Sequence, residues 1–428
     1  MNKYIKMLLF AIITLTLVSY STDDMEPGQA SDSSGSTQPI STTTTAARSE
    51  SVSMSAVQTN EASQMSIATE RDATITRSRS VSGNEKVVLC TYSTYINDTD
   101  VVYPDRVTER YISTVMEQYP GRFIHESFKE NYKTEPELFI DCGLSLVEDP
   151  EVKVFVLLYH NVFTKELFSR IKESRPDILL VAISSLSVAY DLTCEADILL
   201  QFDEIGMLKK QVWQAHTMGV ETFIFYKNPD RDASLEFEEQ KEILVKEECA
   251  AVGIESVFKK ASEEVAVGAY GSEAAQYGKN IVYYFSPYYN PLVVHYAMET
   301  ECTYVQQGDM FHLYSEYPHH LRIDVGDDRV GDYDWIRSQI KENIANRGLS
   351  GRFAILPAPF AMMAIAAIAE YADRYCNGTI IEKVDGEALQ TCFEAVFDNY
   401  GFSDLEVEIK RDEEDTNFFL YSSDYLLY

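Results

Sequence analysis

The sequence predicts an α/β protein of two doubly wound, parallel-sheet lobes joined by crossovers, and three observations predict it. Short apolar blocks recur along the chain without the alternation of a half-exposed strand. Stretches of helical length separate them, and the whole rhythm occurs twice before a C-terminal remainder. A strand that is apolar on both sides must be covered on both sides, and helices between such strands are the crossovers of a parallel sheet.

The elements follow in order from Lys86. KVVLCTYS (Lys86–Ser93) is the first strand and Asp105–Gln118 the first helix. RFIHESF, PELFIDCGLSLVED, VKVFVLLY and TKELFSRIKE continue as strand, helix, strand and helix, and DILLVAIS and ADILLQF (Ala196–Phe202) are the fourth and fifth strands. In RPDILLVAISS, Arg175 to Ser185, Pro176 separates the preceding helix from an unbroken apolar run, and two small hydroxyl residues stop it. The rhythm restarts with a helix near Glu204–Met218, the strand VETFIFY (Val220–Tyr226), a charged helix from about Ala233 to Ala251 and the strand IESVFK. KNIVYYFS (Lys279–Ser286), a helix from Pro291 to about Thr300 and the strand CTYVQQ come next, and Asp309–Asp332 reads as loop. Beyond it lie the helix DYDWIRSQIKENIANRG, the strand GRFAIL, the apolar helix PFAMMAIAAIAEYADRYCNG and a closing pair of strands, LEVEIKRD and NFFLYSSDYLLY. Glu370, Asp373 and Arg374 place that apolar helix in a core rather than a bilayer.

At 428 residues and 45% hydrophobic, the chain is long enough for two cores. Its formal net charge of -32 excludes nucleic acid as a partner. Phosphate binding draws its affinity from Lys and Arg, and here acids outnumber bases 68 to 36. The acidity reads as a solvated surface.

The N-terminus has a basic start (Lys3, Lys6) and an apolar core, Met7–Val18, too short to span a bilayer, which is the pattern of an export signal. Leu17-Val18-Ser19 has the look of the run before the lipid-modified cysteine of bacterial lipoproteins, but Tyr20 stands in the cysteine's place and has no thiol to acylate. Ser19-Tyr20-Ser21 serves instead as a small-x-small cleavage site, with an uncleaved leader acting as a weak anchor the alternative. The protein is expected to be exported, periplasmic or at the cell surface, with a membrane tether left open and Tyr20 counting against a lipid anchor. Thr22–Asn84 is rich in Ser, Thr, Ala, Gln and Gly, cannot bury enough apolar area to order itself, and reads as a tether with a reach of roughly 40–50 Å. The expected organisation is a signal over 1–21, a tether over 22–85, a first lobe over 86–202, a second over 203–330, and a crossover segment over 331–428 that completes both.

Ligands of open α/β sheets sit beyond the carboxyl ends of the strands. The residues there are Thr91, Tyr92 and Ser93; Tyr159, His160 and Asn161; Ser184 and Ser185; Tyr226 and Asn228; Ser286, Tyr288, Tyr289 and Asn290; Gln306; and Pro357 to Phe360. Hydroxyls, amides and tyrosines hydrogen-bond and stack on a polar ring, so the first fifteen of these are the candidate ligand-binding residues. Plainer roles are open to each: Ser184 and Ser185 as turn caps, the tyrosines of SPYYNP as packing, His160 as a surface or core histidine. No catalytic motif is present, and no cofactor is implied. HLYSEYPHH (His312–His320) lacks a Cys or Glu at helical ligand spacing, so no metal is expected. The seven cysteines are far apart, most of them in apolar runs, and read as buried thiols.

In the order of its blocks the chain resembles the DUF3798 family of uncharacterised bacterial exported proteins, itself similar to type 1 periplasmic-binding proteins. The blocks are DPEVKVFVLLYHNV, ELFSRIKESRPDILLVAISS, EADILLQFDEIG, AHTMGVETFIFY, YGKNIVYYFSPYYNP, YPHHLRIDVG, GLSGRFAILPAPFAMMAIAAIAEYA and NFFLYSSDYLLY, covering nearly all of Lys86–Tyr428. The resemblance implies two α/β lobes joined by crossovers with a small molecule in the cleft, and a lipoprotein leader from which Tyr20 departs. It carries over no binding residues.

The function expected is that of an extracytoplasmic solute-binding protein. It would hold a small polar ligand, a nucleoside or a sugar, in an interlobe cleft for a membrane transporter or sensor. The alternatives are an enzyme acting on a small polar substrate in the same cleft, for which His160 is the strand-end base, and a non-catalytic surface interaction protein. Because Tyr20 offers no thiol, mass spectrometry of the mature protein is expected to find no acyl chain and a terminus near Thr22. An acylated terminus would overturn this reading.

Overall fold

A computed structural model describes residues 83–92, 104–128, 132, 135–158, 162–184, 195–229, 235–286, 292–308, 316–326, 329, 332–412 and 417–428. All of them fall within the compact unit Ile75–Tyr428. The expected signal and nearly all of the expected tether lie outside the described residues.

The first sheet is built by β1 (Lys86–Tyr92), β2 (Phe123–Phe128), β3 (Val152–Leu158), β4 (Leu179–Ser184) and β5 (Ile198–Phe202), connected through the helices α1 (Pro104–Gln118), α2 (Pro136–Leu146) and α3 (Thr164–Ser174). Two strands from the C-terminal region, β11 (Val407–Arg411) and β12 (Phe418–Ser423), complete it in the order β11-β12-β5-β4-β3-β1-β2. Six of the seven are mutually parallel, and β11 alone joins antiparallel, as a hairpin with β12. Neighbouring residues along each strand enter opposite cores. Val88, Phe155 and Leu180 lie level across three strands and pack on one face, whereas Val87, Val154 and Leu179 pack on the other. That two-sided burial is the reason the strands read as unbroken apolar runs.

The second half begins at α4 (Glu204–Thr217) and continues through β6 (Thr222–Lys227), α5 (Leu235–Val252), β7 (Glu255–Lys260), α6 (Glu263–Tyr277), β8 (Ile281–Ser286) and α7 (Leu292–Thr300). The parallel sheet β7-β6-β8 results. Next come β9 (Tyr304–Val305), α8 (Glu316–His320), α9 (Tyr333–Asn346) and β10 (Phe353–Ile355), with β13 (Leu426–Leu427) arriving from the C-terminus to form the sheet β13-β10-β9. Gln307 joins these two small sheets: its amide oxygen accepts from Phe285 N at 2.7 Å and its amide nitrogen donates to Phe285 O. A side chain thus replaces a ladder rung between β8 and the segment after β9.

α10 (Phe360–Cys376) returns the chain to the first sheet. Fourteen of its seventeen residues are buried, and it packs on α1, β1, β3 and β4, and on α11 (Gly386–Asn399). The charges that argued against a bilayer dock its far end. Tyr119 donates to Glu370 at 2.5 Å, Arg122 to Asp373 at 2.9 Å, and Arg374 to Glu370 at 2.7 Å. No helix among the described residues is long and apolar enough to cross a membrane. Six cysteines are free thiols among the described residues, five of them buried. Arg175, which opens the block discussed above, donates to the carbonyls of Val147, Asp149 and Val152 and ties the entry of β4 to that of β3.

Several elements differ from the sequence expectation. α6 and α11 were not expected. Gly268 and Gly271 dilute the helical signal of the first, and Gly386 with a cysteine-interrupted apolar run that of the second. The stretch expected to be loop contains α8. The closing segment NFFLYSSDYLLY is two strands in two different sheets, split at Asp424 and Tyr425. CTYVQQ narrows to two strand residues. The segment 331–428 divides between the sheets: α9, β10 and β13 pack in the second half, α10, α11, β11 and β12 in the first.

Replacing Gln307 by Leu strands a buried N–H and a buried C=O of Phe285, so the variant is expected to lose about 2–4 kcal/mol in urea unfolding. A loss below about 0.5 kcal/mol would show that the two small sheets do not depend on this bridge.

Candidate functional site

Because the six strands are parallel, their carboxyl ends fall on one edge of the first sheet, at Tyr92, Leu158, Ser184, Phe202 and Ser423 among others. The corresponding edge of the second half carries Lys227, Ser286, Val305 and Ile355. The chain passes between the halves three times, always at these edges: at Asp203 between β5 and α4, through Pro357–Pro359 between β10 and α10, and at Asp424–Tyr425 between β12 and β13.

Hydrogen bonds fasten each passage. Asp203 N donates to Tyr421 O, and the Asp203 carboxylate caps α4 by accepting from Gly206 N, both at 2.8 Å. Burial raises this carboxyl's pKa, and the Gly206 N–H opposes the shift. A Cβ on Gly206 would lie 2.1 Å from Asp203 Oδ2, so the cap requires glycine. Gln306 Oε1 accepts from Leu356 N at 2.9 Å and from Tyr317 at 3.1 Å, while its carbonyl accepts from Tyr425 at 3.1 Å.

Lys241 gathers residues of the second half beside the passage at Asp203. Its ammonium donates to Glu204 Oε1 (2.5 Å), which follows β5 and opens α4, to Glu238 Oε1 (3.1 Å) on α5, and to Ser286 Oγ (3.3 Å), the last residue of β8. Lys241 and Glu238 are almost wholly buried, and Glu204 is about a quarter exposed. Phe237 places its ring 4.4 Å from the ammonium, and one turn along α5 Glu242 pairs with Lys227 at 2.8 Å.

The residues expected from the sequence fall into three groups. Thr91 and Ser184 are buried on the first edge, and Thr91 Oγ1 lies 2.9 Å from His125 Nε2. Asn228 and Ser286 lie together on the second edge, joined by a bond from Asn228 N to Ser286 O at 2.8 Å. Tyr226 and Gln306 are buried beneath that edge. The Tyr226 hydroxyl donates to Glu273 of α6, and burial, reinforced by that carboxylate, pushes the phenol far above its ordinary range. Tyr92 is described only as the end of β1. Ser93, Tyr159, His160, Asn161, Ser185, Tyr288, Tyr289 and Asn290 lie outside the described residues.

Sequence reasoning missed Glu204, Glu238 and Lys241. The three-residue spacing of Glu238 and Lys241 puts them on one helix face, but with 68 acidic residues in the chain any one such pair carries no signal.

A family model described as a protein of unknown function, DUF3798, matches residues 86–354. No curated protein matches the sequence. Among solved structures, a candidate transcriptional regulator from Clostridium difficile 630 is similar with a TM-score of 0.67 at 20% identity, covering 81% of this chain and 99% of its own. A sugar ABC transporter protein from Actinomyces odontolyticus ATCC 17982 gives 0.43 at 11% identity over 71% and 86% of the two chains. A branched chain amino acid ABC transporter periplasmic ligand-binding protein from Burkholderia xenovorans LB400 gives 0.40 at 11% over 74% and 82%. The likeness to the Clostridium protein is one of fold. One seven-stranded sheet and two three-stranded sheets, mostly parallel and linked by three crossovers, form the type 1 periplasmic-binding arrangement that the order of blocks implied.

Lys241→Met leaves Glu238 buried without its counterion and is expected to cost about 3–5 kcal/mol in urea unfolding. Most of that loss should return in the double variant Lys241→Met/Glu238→Leu. A single-variant loss under about 1 kcal/mol would show that water reaches the pair.

Proposed function

We propose that this chain, which belongs to the DUF3798 family, is an exported solute-binding protein that holds a small polar ligand where the carboxyl edges of its two halves meet. The observation that supports the reading is the passage at Asp203, beside which the shared ammonium of Lys241 draws Glu204, the first residue of α4, and the last residue of β8 to one point. A ligand there lies beside the first passage of the chain between the halves.

Thr91 and Ser184 offer hydroxyls from the first edge, and Asn228 and Ser286 an amide and a hydroxyl from the second. Tyr92, Ser93, Tyr159, His160, Asn161, Ser185, Tyr288, Tyr289 and Asn290 follow the same strand ends in sequence and belong to the proposed rim. Its tyrosines suit a ring-bearing polar solute such as a nucleoside or a sugar. Tyr226 and Gln306 act one layer down, as supports. A solute that contacts both edges favours the arrangement in which they are close, and the three crossovers are where the chain flexes. A membrane transporter or sensor would read that closed form. The leader pattern of Met1–Ser21 supports export.

Catalysis is the second reading, and the Thr91–His125 contact is what favours it, because a hydroxyl beside an imidazole is the start of a nucleophilic relay. One experiment addresses both. In a thermal-shift screen of metabolites, a true ligand at about 100 times its Kd should add about 2.7 kcal/mol of stability. Mass spectrometry should then recover that ligand chemically unchanged after prolonged incubation. No shift across a broad panel would sink the binding role, and conversion of the ligand would replace it with an enzymatic one.

A further inference from the structure

We infer that the three passages between the halves form one cross-tied joint that flexes as a unit, and that Gln306 is the residue that ties it. The inference concerns the chain alone and stands whether or not a solute binds. Gln306 follows β9 and lies in none of the passages, but it bonds to two of them. Its side-chain oxygen accepts at 2.9 Å from the N–H of Leu356, the residue before Pro357–Pro359, and its carbonyl accepts from the Tyr425 hydroxyl at 3.1 Å. Its own N–H donates to Ala354 O at 2.8 Å, so β10 holds it in register. Other bonds join the first passage to the third. Asp203 N donates at 2.8 Å to Tyr421 O, on the strand that leads into Asp424–Tyr425. Lys210 of α4 donates to Asp424 Oδ1 at 3.3 Å, while Asp424 Oδ2 accepts from Glu406 N at 3.2 Å.

Burial decides which of these ties matter. The Lys210–Asp424 pair is partly exposed, and water screens it. Gln306, Leu356, Tyr421 and Tyr425 are buried, so parting any of them from its neighbour leaves a polar group with neither a partner nor water. Nor is the Gln306 amide free to turn and follow a moving segment. Its oxygen has two lone pairs, taken by Leu356 N and by the Tyr317 hydroxyl at 3.1 Å, and its nitrogen donates to Gly308 O at 3.2 Å. Pro357 and Pro359 stiffen the second passage further by fixing φ. Three separate hinges would each keep their hydrogen bonds within their own segment. Here the third passage is bonded to the first through the pairing of β5 with β12, and to the second through Gln306. Loosening one therefore strands groups of the others, and the three open together.

The test is amide hydrogen exchange of the full-length protein, resolved to single amides and compared between the parent chain and two variants. Tyr425→Phe removes one hydroxyl from the third passage and touches neither reporter in the other two, Leu356 N and Asp203 N. Both reporters should exchange at least fivefold faster in the variant. Amides at the centres of β3 and β6, such as Val156 and Ile224, should change less than twofold, because they open only with the whole fold. Gln306→Met removes the side-chain oxygen that holds the second passage, and should speed exchange at Asp203 and Asp424 by at least the same factor. If Gln306→Met does not fold, Tyr425→Phe, which lacks a single hydroxyl, carries the test. Faster exchange confined to the third passage in Tyr425→Phe would show three independent hinges and overturn the inference. A rise of equal size at Leu356, Asp203, Val156 and Ile224 would overturn it as well, since the passages would then open only by global unfolding. Neither result bears on the thermal-shift screen, so failure here leaves the solute-binding reading standing.

Discussion

A parallel strand cannot turn directly back into its neighbour, and the rest of this structure depends on that constraint. Each strand must return across a face of the sheet before the next begins, so every strand ends on the same edge and both faces are covered by the returning chain. In the first half this produces two cores, separated by strands whose successive residues alternate between them. It also leaves one edge where the backbone can depart for the other half. All three passages use that edge, and the place where the halves communicate is therefore also the place where strand ends gather.

The junction is held by polar side chains that act as backbone. Gln306 receives an N–H from Leu356 as a strand neighbour would, Gln307 pairs with both groups of Phe285, and Gln211 donates to Val305 O at 3.0 Å. Amides suit this work because each carries a donor and an acceptor in one plane, and burial strengthens the bonds they make. The Lys241 cluster differs in kind. Two of its three bonds are between full charges, one oxygen of Glu238 is left open, and it sits at the strand ends rather than beneath them.

Much of the fold was legible along the chain because two-sided burial writes itself into composition. VKVFVLLY and DILLVAIS could only be central strands, and both are. The edge strand β7 is less apolar and is only half-buried, as an edge permits. α6 escaped notice because its glycines and small residues weaken the helical period, although tertiary packing on the tyrosine-rich face of β8 sustains the helix. The break between β12 and β13 escaped notice because the strand-like residues continue across it. Only Asp424, bonded to Lys210 and to Glu406 N, marks where the chain changes sheets.

For the site, the sequence by itself determined which residue types stand at the strand ends, because strand boundaries are set by local pattern. Thr91, Ser184, Asn228 and Ser286 were found in that way. Which of them face one another, and which charges meet between them, was decided only by the tertiary structure. Glu204, Lys241 and Ser286 are separated by 37 and 45 residues of chain and are brought together by the packing of α4, α5 and the end of β8. No local pattern encodes a contact of that range, since the balance between desolvation and ion pairing that holds it exists only once the surrounding core has formed.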